Sequence, residues 1–422
     1  KWKEAQTSPA KTDKLMDMYL KEIEQLSSKN WLYKYLKYTD QMESPSCFHI
    51  WAGLSALSCT LQRKVWINRG FYTLYPNQYI ILVAESAFCR KSTAVSVAIN
   101  DLLQTTQVAQ ISKDKMTAEK LCVELSRAEK EKKLDNAITI FVPELSTFLG
   151  ASAFHSGIIP LLTSFYECPS SADYKTKSSG EFHMANVCIN LIGATTLDWM
   201  STNLPGDTVE GGFTGRVIFV VAEEPRLSNP WPTLSPEETL LRTELIQSLV
   251  RIDSFNGAFK INETAKNEFS KWYNHRTEGL DLRLRGYYGR KGDHVLKVAT
   301  CIAAGEEGMC NGRLEIDSSH IRIALRLLKK AESLMHLAFR GTAFSKSSKD
   351  IDRILGYLIR EKEKNHLPIK HSVLLKRNSH YLNGSEFKEV METLIQQGDV
   401  VMGLHTSGKG MTYDLIHKKD AP

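Results

Sequence analysis

Hydrophobic positions change period twice along this chain, and the changes divide it. From residue 13 to residue 60 they recur every three to four places, in DKLMDMYLKEIEQL, WLYKYLKYTDQM and FHIWAGLSALSCTL, which predicts helices broken near Ser44-Pro45. From Lys64 to Ala84 the pattern turns to β: KVWINRG, the turn-like YPNQ, then YIILVA. TAVSVAINDLLQTT and MTAEKLCVELSRAEKEKKLD return to helical spacing, the charged end of the second reading as a solvated face. AITIFVPELSTFL opens with an apolar run of strand length, and IIPLLTSFYE is helical. YKTKSSGEFHMANVCINLIGATT reads as strand, Ser-Ser-Gly turn, strand and buried strand, and VIFVVAEEP adds one more apolar strand. Strands separated by helices in this order predict an α/β domain with a mainly parallel sheet over residues 62–226, preceded by a helical N-terminal region over 1–61.

The Pro-rich stretch EEPRLSNPWPTLSPEE reads as a boundary. Beyond it TLLRTELIQSLVRI, ETAKNEFSKWYNHR, DHVLKVATCIAA and SSHIRIALRLLKKAESLMHLAF are amphipathic, predicting an all-helical region over 227–344. Residues 345–422 then run helix (IDRILGYLIREKEK), helix (VLLKRN), helix (SEFKEVMETLIQQ) and two short strands, DVVMGLH and MTYDLI, joined by TSGKG. Three helices and a β-hairpin wing make the winged-helix pattern.

Composition narrows the class without naming a chemistry. The 422 residues are 42% hydrophobic and 24% charged, ordinary for a globular protein large enough for two or three domains. The longest apolar stretches are about strand length, which predicts no transmembrane span, and the polar N-terminus KWKEAQTSPAKTDK predicts no secretory signal. Eight cysteines at 47, 59, 89, 122, 168, 188, 301 and 310 form no C-x-x-C pair, so they read as reduced thiols of a cytoplasmic protein. A net charge of +6 is compatible with a polyanionic partner but does not require one.

Four segments could carry chemistry. VAESAFCRKST, residues 83–93, lies between an apolar strand and a helix and ends in Lys91, Ser92 and Thr93, where a phosphate-binding loop keeps its lysine and its Mg²⁺-holding hydroxyl. The glycines of such a loop would fall at Glu85 and Arg90, and neither residue adopts positive φ cheaply. The bland alternative is an ordinary turn with Arg90 and Lys91 in solvent. In TIFVPELS an apolar strand ends in Glu144, a candidate for Mg²⁺ and for activating water, with Pro143 where a metal-binding Asp normally stands; a helix N-terminal carboxylate is the alternative. CINLIGATT ends in Thr195 and Thr196, placed to sense a terminal phosphate, although Thr196 could simply cap the next helix. GGFTGRVIFVV sets Arg216 at the start of a strand, where it could stabilise phosphoryl transfer in a neighbouring subunit or stand exposed at a strand edge.

Over residues 30 to 340 the chain resembles the primase-helicase-like P-loop ATPases of phages, plasmids and integrated mobile elements. NWLYKYLKYTDQMESPSCFHIWAGLSALSCTLQRKVWINRGFYTLYPNQYIILVAESAFCRKSTAV, FVPELSTFL, SFYECPSSADYKTKSSGEFHMANVCINLIGATTLDWM and GGFTGRVIFVVAEEP carry the resemblance. That family is similar to the superfamily-three and minichromosome-maintenance helicases, so the resemblance implies an AAA+-like core with helical N-terminal and lid regions. It implies ATP and Mg²⁺ as cofactors, with Ser86, Arg90, Lys91, Ser92 and Thr93 on the phosphates, Ser92 and Glu144 at the metal, Thr195 or Thr196 as sensor, and Arg216 reaching across subunits. The hairpin tip with Lys175 and Lys177 would grip a phosphate backbone in a central channel, as two lysines on an exposed turn suit sequence-independent contacts. RGYYGRKGDHVLK offers Arg290, Lys291 and His294 as second-sensor residues, with a solvated basic turn as the alternative.

The implied function is an ATP-dependent DNA-translocating ring ATPase, a replicative DNA helicase of a mobile element. Its partners would be single-stranded or forked DNA, further copies of the chain in a ring, a hexamer by the resemblance, and a primase or other replication proteins, with no membrane. A weakly hydrolytic DNA-binding or loading module and an ATPase of an anti-phage system are the alternatives. In the final unit SEFKEVMETLIQQ carries three Glu and one Lys, a poor fit to a DNA groove, whereas Lys376, Arg377, His405 and Lys409 are more basic.

Overall fold

The computed structural model describes residues 21–113, 116–130, 136–148, 157–176, 180–203, 212–276, 282–339, 346–363, 368–396, 399–404 and 411–415. The chain divides into two compact units, one of residues 1–203 and 208–340, the other of 204–207 and 341–422. The fold is mixed α/β with a central parallel sheet.

That sheet is the centre of the first unit. In chain order its strands are β1 (Tyr79–Val83), β2 (Ile111–Ser112) and β3 (Asn136–Val142); after an antiparallel hairpin of β4 (Ser171–Thr176) and β5 (Gly180–Ala185) come β6 (Val187–Thr195) and β7 (Val217–Val221). Across the sheet the order is β2-β3-β6-β1-β7, every pairing parallel. All residues of β1, β6 and β7 are buried, as strands covered on both faces must be; β1 and β7 read as unbroken apolar runs, and β6 holds the buried Asn190, which accepts hydrogen bonds from Ser58 and Gln78. The connection leaving β1 runs to one edge of the sheet, and the connection leaving β6 passes β1 to the other edge. The carboxyl end of β1 therefore lies at a topological switch point, where open α/β sheets place their ligands.

Helices cover the sheet. In the lead-in, α1 (Trp31–Tyr38) is capped by Asn30, and α2 (Ser46–Leu61) is buried on every side. After the loop, α3 (Lys91–Ser96) runs directly into a π-helical stretch, Val97–Leu103, and a last turn, Gln104–Thr106. Further on lie α4 (Ala118–Lys130), α5 (Ile158–Phe165), α6 (Pro236–Asp253), α7 (Glu263–Asn274), α8 (Arg285–Ala304) and α9 (Ser318–Met335). The region after the Pro-rich stretch is not all helical as expected: Gly257–Ala258 pairs with Val65–Asn68, and Lys260–Ile261 pairs with Glu315–Ile316. Two-residue strands carry too little alternation to appear as a sequence pattern.

The second unit has its own core of Ile354, Leu358, Leu374, Phe387 and Leu394. It consists of α10 (Lys346–Glu363), β8 (Ile369–Lys370), α11 (His371–Asn378), α12 (Gly384–Gln396), β9 (Val400–Leu404) and β10 (Met411–Leu415). The strands form an antiparallel sheet in the order β8-β10-β9, with β8 absent from the expected pair. All eight cysteines are free thiols, and seven are buried. Among the described residues no helix is long and apolar enough to cross a membrane.

Two buried histidines make the first unit acid-sensitive. Burial lowers the pKa of His49 to about 3, helped by Arg226, and burial likewise lowers that of His294 to about 3. Both are neutral in the folded chain at pH values where the unfolded chain, with imidazoles near 6.5, is protonated. Their stabilising share is whole above pH 6.5 and is lost as pH falls toward 3. Taking the chain from pH 7.5 to 5.0 should cost about 4 kcal/mol for the two together. A thermal melt over that range reads it: His49→Gln should roughly halve the slope, and a midpoint flat with pH would contradict the assignment.

Candidate functional site

The segment 84–90 leaves β1 and turns sharply into α3. Its backbone takes the shape that glycines usually provide, without glycine. Arg90, directly before Lys91, is left-handed at φ 49° and ψ 38°, and Ala87 has φ 60°. Each such residue costs about 1–2 kcal/mol in an L-amino acid, so the surroundings must hold it. They do so from the lead-in: Ser44 Oγ donates to Arg90 O at 3.1 Å, and Arg90 Nε donates to Glu43 Oε2 at 3.0 Å. The Arg90 side chain is thus turned toward Glu43, and its main chain makes the bend.

The bend brings Lys91 beneath the loop. The Lys91 side chain is buried, not solvated, and Nζ donates to Ala84 O at 2.9 Å and Glu85 O at 2.7 Å. Those bonds use two of the three N–H donors of an ammonium group. Burial lowers the pKa of Lys91, with the Glu144 carboxylate among the charges acting against the shift. Ser92 Oγ donates to Pro143 O at 3.3 Å, joining the start of α3 to the end of β3 immediately before Glu144. Ser86 and Thr93 are exposed, one on the loop and one on the outer side of α3.

The third strand end completes the group. Val83 is the register partner of Thr195, and Ala84 N donates to Thr195 O at 3.3 Å. Thr195 Oγ1 is buried with no hydrogen-bond partner among the described residues, the kind of polar atom that calls for an explanation. Thr196 Oγ1 accepts from Trp199 N at 3.2 Å and caps the short helix Leu197–Asn203. The two threonines therefore separate: Thr195 faces the loop strand and Thr196 serves the helix.

A cleft of about 450 Å³ opens beside Arg90 and Thr93. Tyr38, Met42, Pro230 and Pro232 help line it. The Pro-rich stretch, expected as a boundary, is stitched to the lead-in: Arg226 N donates to Glu43 O at 2.8 Å, and Asn229 N to Glu43 Oε1 at 3.2 Å. Its role as a wall could not be read locally, because the partner segment lies some 190 residues away.

Arg216 stands elsewhere. Val217 pairs with Tyr79 and Val221 with Val83, so Arg216 sits at the amino end of the sheet, about 13 Å along β1 from the loop. It is mostly buried, its Nη2 paired with Glu167 Oε1 at 3.1 Å, its Nη1 donating to Gly212 O at 2.9 Å, its guanidinium over the Tyr166 ring. It is not an exposed strand-edge arginine. Of the expected second-sensor residues, Lys291 is tied to Glu332 at 2.6 Å. His294, being neutral, donates from Nε2 to Gly215 O at 3.2 Å and accepts at Nδ1 from Tyr166 Oη at 3.3 Å. Both are committed to packing.

The hairpin emerges at this same amino end, just before β6. Lys175 is exposed, but Glu181 lies opposite it in register and takes its ammonium at 2.6 Å, while Asp173 takes His183 at 2.6 Å. The described hairpin surface is therefore mixed in charge. Lys177, His405 and Lys409 lie outside the described residues. In the second unit Lys376 is exposed and the Arg377 guanidinium stacks over Tyr357. Among the described residues no three His, Cys, Asp or Glu side chains are grouped to hold a metal ion. No protein-family model matches the chain, and no curated protein matches it.

Proposed function

We propose that this chain is an ATP-dependent, DNA-translocating ring ATPase of the AAA+ type, acting as the replicative helicase of a mobile genetic element. One observation carries the reading: the left-handed Arg90 bends the chain so that the Lys91 ammonium lies under the loop carbonyls, with the Ser92 hydroxyl at the end of the Glu144 strand and the unpartnered Thr195 hydroxyl at the neighbouring strand end. Lysine, hydroxyl, carboxylate and sensor are the groups phosphoryl transfer needs, and the strand order gathers them at one switch point.

In this reading Lys91 draws the β- and γ-phosphates, the main-chain amides at the start of α3 complement their charge, Glu144 orients and deprotonates water, and Thr195 hydrogen-bonds the terminal phosphate. A divalent ion arriving with the nucleotide would rest on Ser92 Oγ and, through water, on Glu144, supplying charge neutralisation. The apolar cleft beside Thr93 is of a size to take the base. Arg216, at the far end of the sheet, acts on a neighbour's nucleotide. Hairpins bearing Lys175 hold single-stranded DNA once phosphate displaces Glu181 from the lysine. The winged-helix reading of the second unit is supported by its three helices and three-stranded antiparallel sheet.

Calorimetric titration should find one ATP site per chain, and hydrolysis should rise when single-stranded DNA is added. A titration with no ATP binding would end this reading. Pro143 beside Glu144 and the Lys175–Glu181 pair favour a second one, a nucleotide-binding loading module of weak hydrolysis. Strand separation on a forked substrate decides between them: robust unwinding by the purified chain excludes the loading module.

A further inference from the structure

Val65–Asn68 pairs antiparallel with Thr73–Leu74, and the turn that joins them is closed on itself. Arg69 N donates to Tyr72 O at 2.9 Å, Asn68 Oδ1 accepts from Gly70 N at 2.9 Å, and Gly70 supplies the positive φ, 79°, of this short return. The turn is also fastened from both sides. The Arg69 guanidinium lies over the Phe269 ring of α7, 5.5 Å from its centre, and Tyr72 Oη donates to Asp293 Oδ1 of α8 at 3.2 Å. Phe71, between these two anchors, is fully exposed. A loose tip could fold a phenylalanine back onto the body of the protein, whereas this one holds it in solvent.

The surface beside the turn is of the same kind. Tyr273, four residues after Phe269 and on the same face of α7, stacks on it at 5.6 Å with the rings 28° apart. Tyr273 is 40% exposed and Tyr72 48%. The Arg276 guanidinium lies 4.0 Å from the centre of the Tyr273 ring, and its Nη1 has no hydrogen-bond partner among the described residues. On α8, Gly292 makes room for that ring: a Cβ there would stand 3.0 Å from Tyr273 Cε2. Exposed rings and guanidiniums thus alternate over one corner, and the Asp293 carboxylate that faces the turn is engaged by the Tyr72 hydroxyl.

A single exposed apolar side chain needs no explanation, but rings interleaved with cations match what a strand of unpaired bases presents, flat faces joined by phosphates. A duplex hides its base faces and would leave Phe71 unused. We propose that this corner binds single-stranded nucleic acid, with Phe71, Tyr72 and Tyr273 stacking on unpaired bases and Arg69 and Arg276 meeting the phosphates between them. The site goes beyond the ATPase reading, since it uses neither the Lys91 loop nor the Lys175 hairpin.

Fluorescence anisotropy of the full chain, without nucleotide, tests it with an oligothymidylate of about 12 nucleotides, an abasic strand of equal length and a duplex of equal length. Phe71→Ala should weaken oligothymidylate binding about tenfold and leave the abasic strand and the duplex within about twofold of the parent. Phe71→Trp should restore the affinity. Because the side chain is wholly exposed, the thermal midpoint of Phe71→Ala should match the parent's, which reports that the fold is intact. Arg276→Ala should weaken the intact and abasic strands alike and reduce the slope of log affinity against log salt by about 0.7. Unchanged oligothymidylate affinity in Phe71→Ala overturns the proposal, as does an equal loss on all the probes or a parent that binds no strand. Sedimentation showing a dimer that Phe71→Ala dissolves would assign the corner to a second copy of the chain and overturn it equally. Lys91→Ala should bind the strand as the parent does, so a failed nucleotide reading leaves this site standing, and a failed Phe71 test leaves the loop reading standing.

Discussion

Lys91→Ala is expected to bind ATP about ten- to a hundredfold more weakly than the parent and to lose measurable hydrolysis, with the fold retained. The size follows from the geometry. The ammonium is already buried under the loop and oriented by Ala84 O and Glu85 O, so little reorganisation precedes its meeting with phosphate. A charge-assisted hydrogen bond formed in such a place contributes roughly 1.5–3 kcal/mol, and about 2.7 kcal/mol is a hundredfold in affinity. Stability should move little, because losing two hydrogen bonds is offset by no longer burying a charge whose pKa burial depresses. Titration calorimetry with ATP, beside a thermal melt, separates the two effects. Unchanged affinity in a chain that melts like the parent would reduce Lys91 to a structural lysine and end the motor reading.

The sequence made the strands legible because the central strands are mostly apolar, buried on both faces and stopped by polar residues. It also disclosed the hairpin, whose Ser-Ser-Gly turn separates two alternating segments. The loop was harder. A search for glycines fails at Arg90, since the left-handed backbone there is imposed from outside, by Ser44 and Glu43, and a local pattern cannot show a hydrogen bond to a segment more than 40 residues away. The same limit hid the cleft wall at Pro230 and the pairing of Arg216 with Glu167. Each depends on how distant elements pack, and propensity carries no information about that. Ambiguity in Thr195-Thr196 was local in origin: two adjacent hydroxyls at a strand end are alike until the register assigns one to the loop and the other to a helix cap.

The unglycined loop has an energetic consequence. Left-handed Arg90 and Ala87 store strain that the contacts of Ser44 and Glu43 with Arg90 must offset, so the lead-in is coupled to the nucleotide site. Glycine in both places would relieve the strain but also widen the loop's conformational freedom before binding. Bulky residues held from the side give a loop with fewer states, at the cost of dependence on that side.

Glu144→Gln isolates the chemical step. The carboxylate lies at the end of β3, next to the Pro143 carbonyl that accepts the Ser92 hydroxyl, and its charge reaches Lys91. Glutamine keeps the shape and the ability to hold water but cannot take a proton. ATP affinity should therefore stay within a few-fold of the parent or improve, since one negative charge near the phosphates is gone. Hydrolysis should fall about a hundredfold or more, the usual share of a positioned general base. Pro143 sharpens the expectation: with no carboxylate at the preceding position, no second acid stands beside Glu144 on this strand end to take over its work. Single-turnover hydrolysis with bound nucleotide in excess of its dissociation constant measures the step directly. A rate within about threefold of the parent would move water activation away from Glu144, whereas loss of binding equal to that of Lys91→Ala would make the carboxylate part of the nucleotide cradle instead of the base.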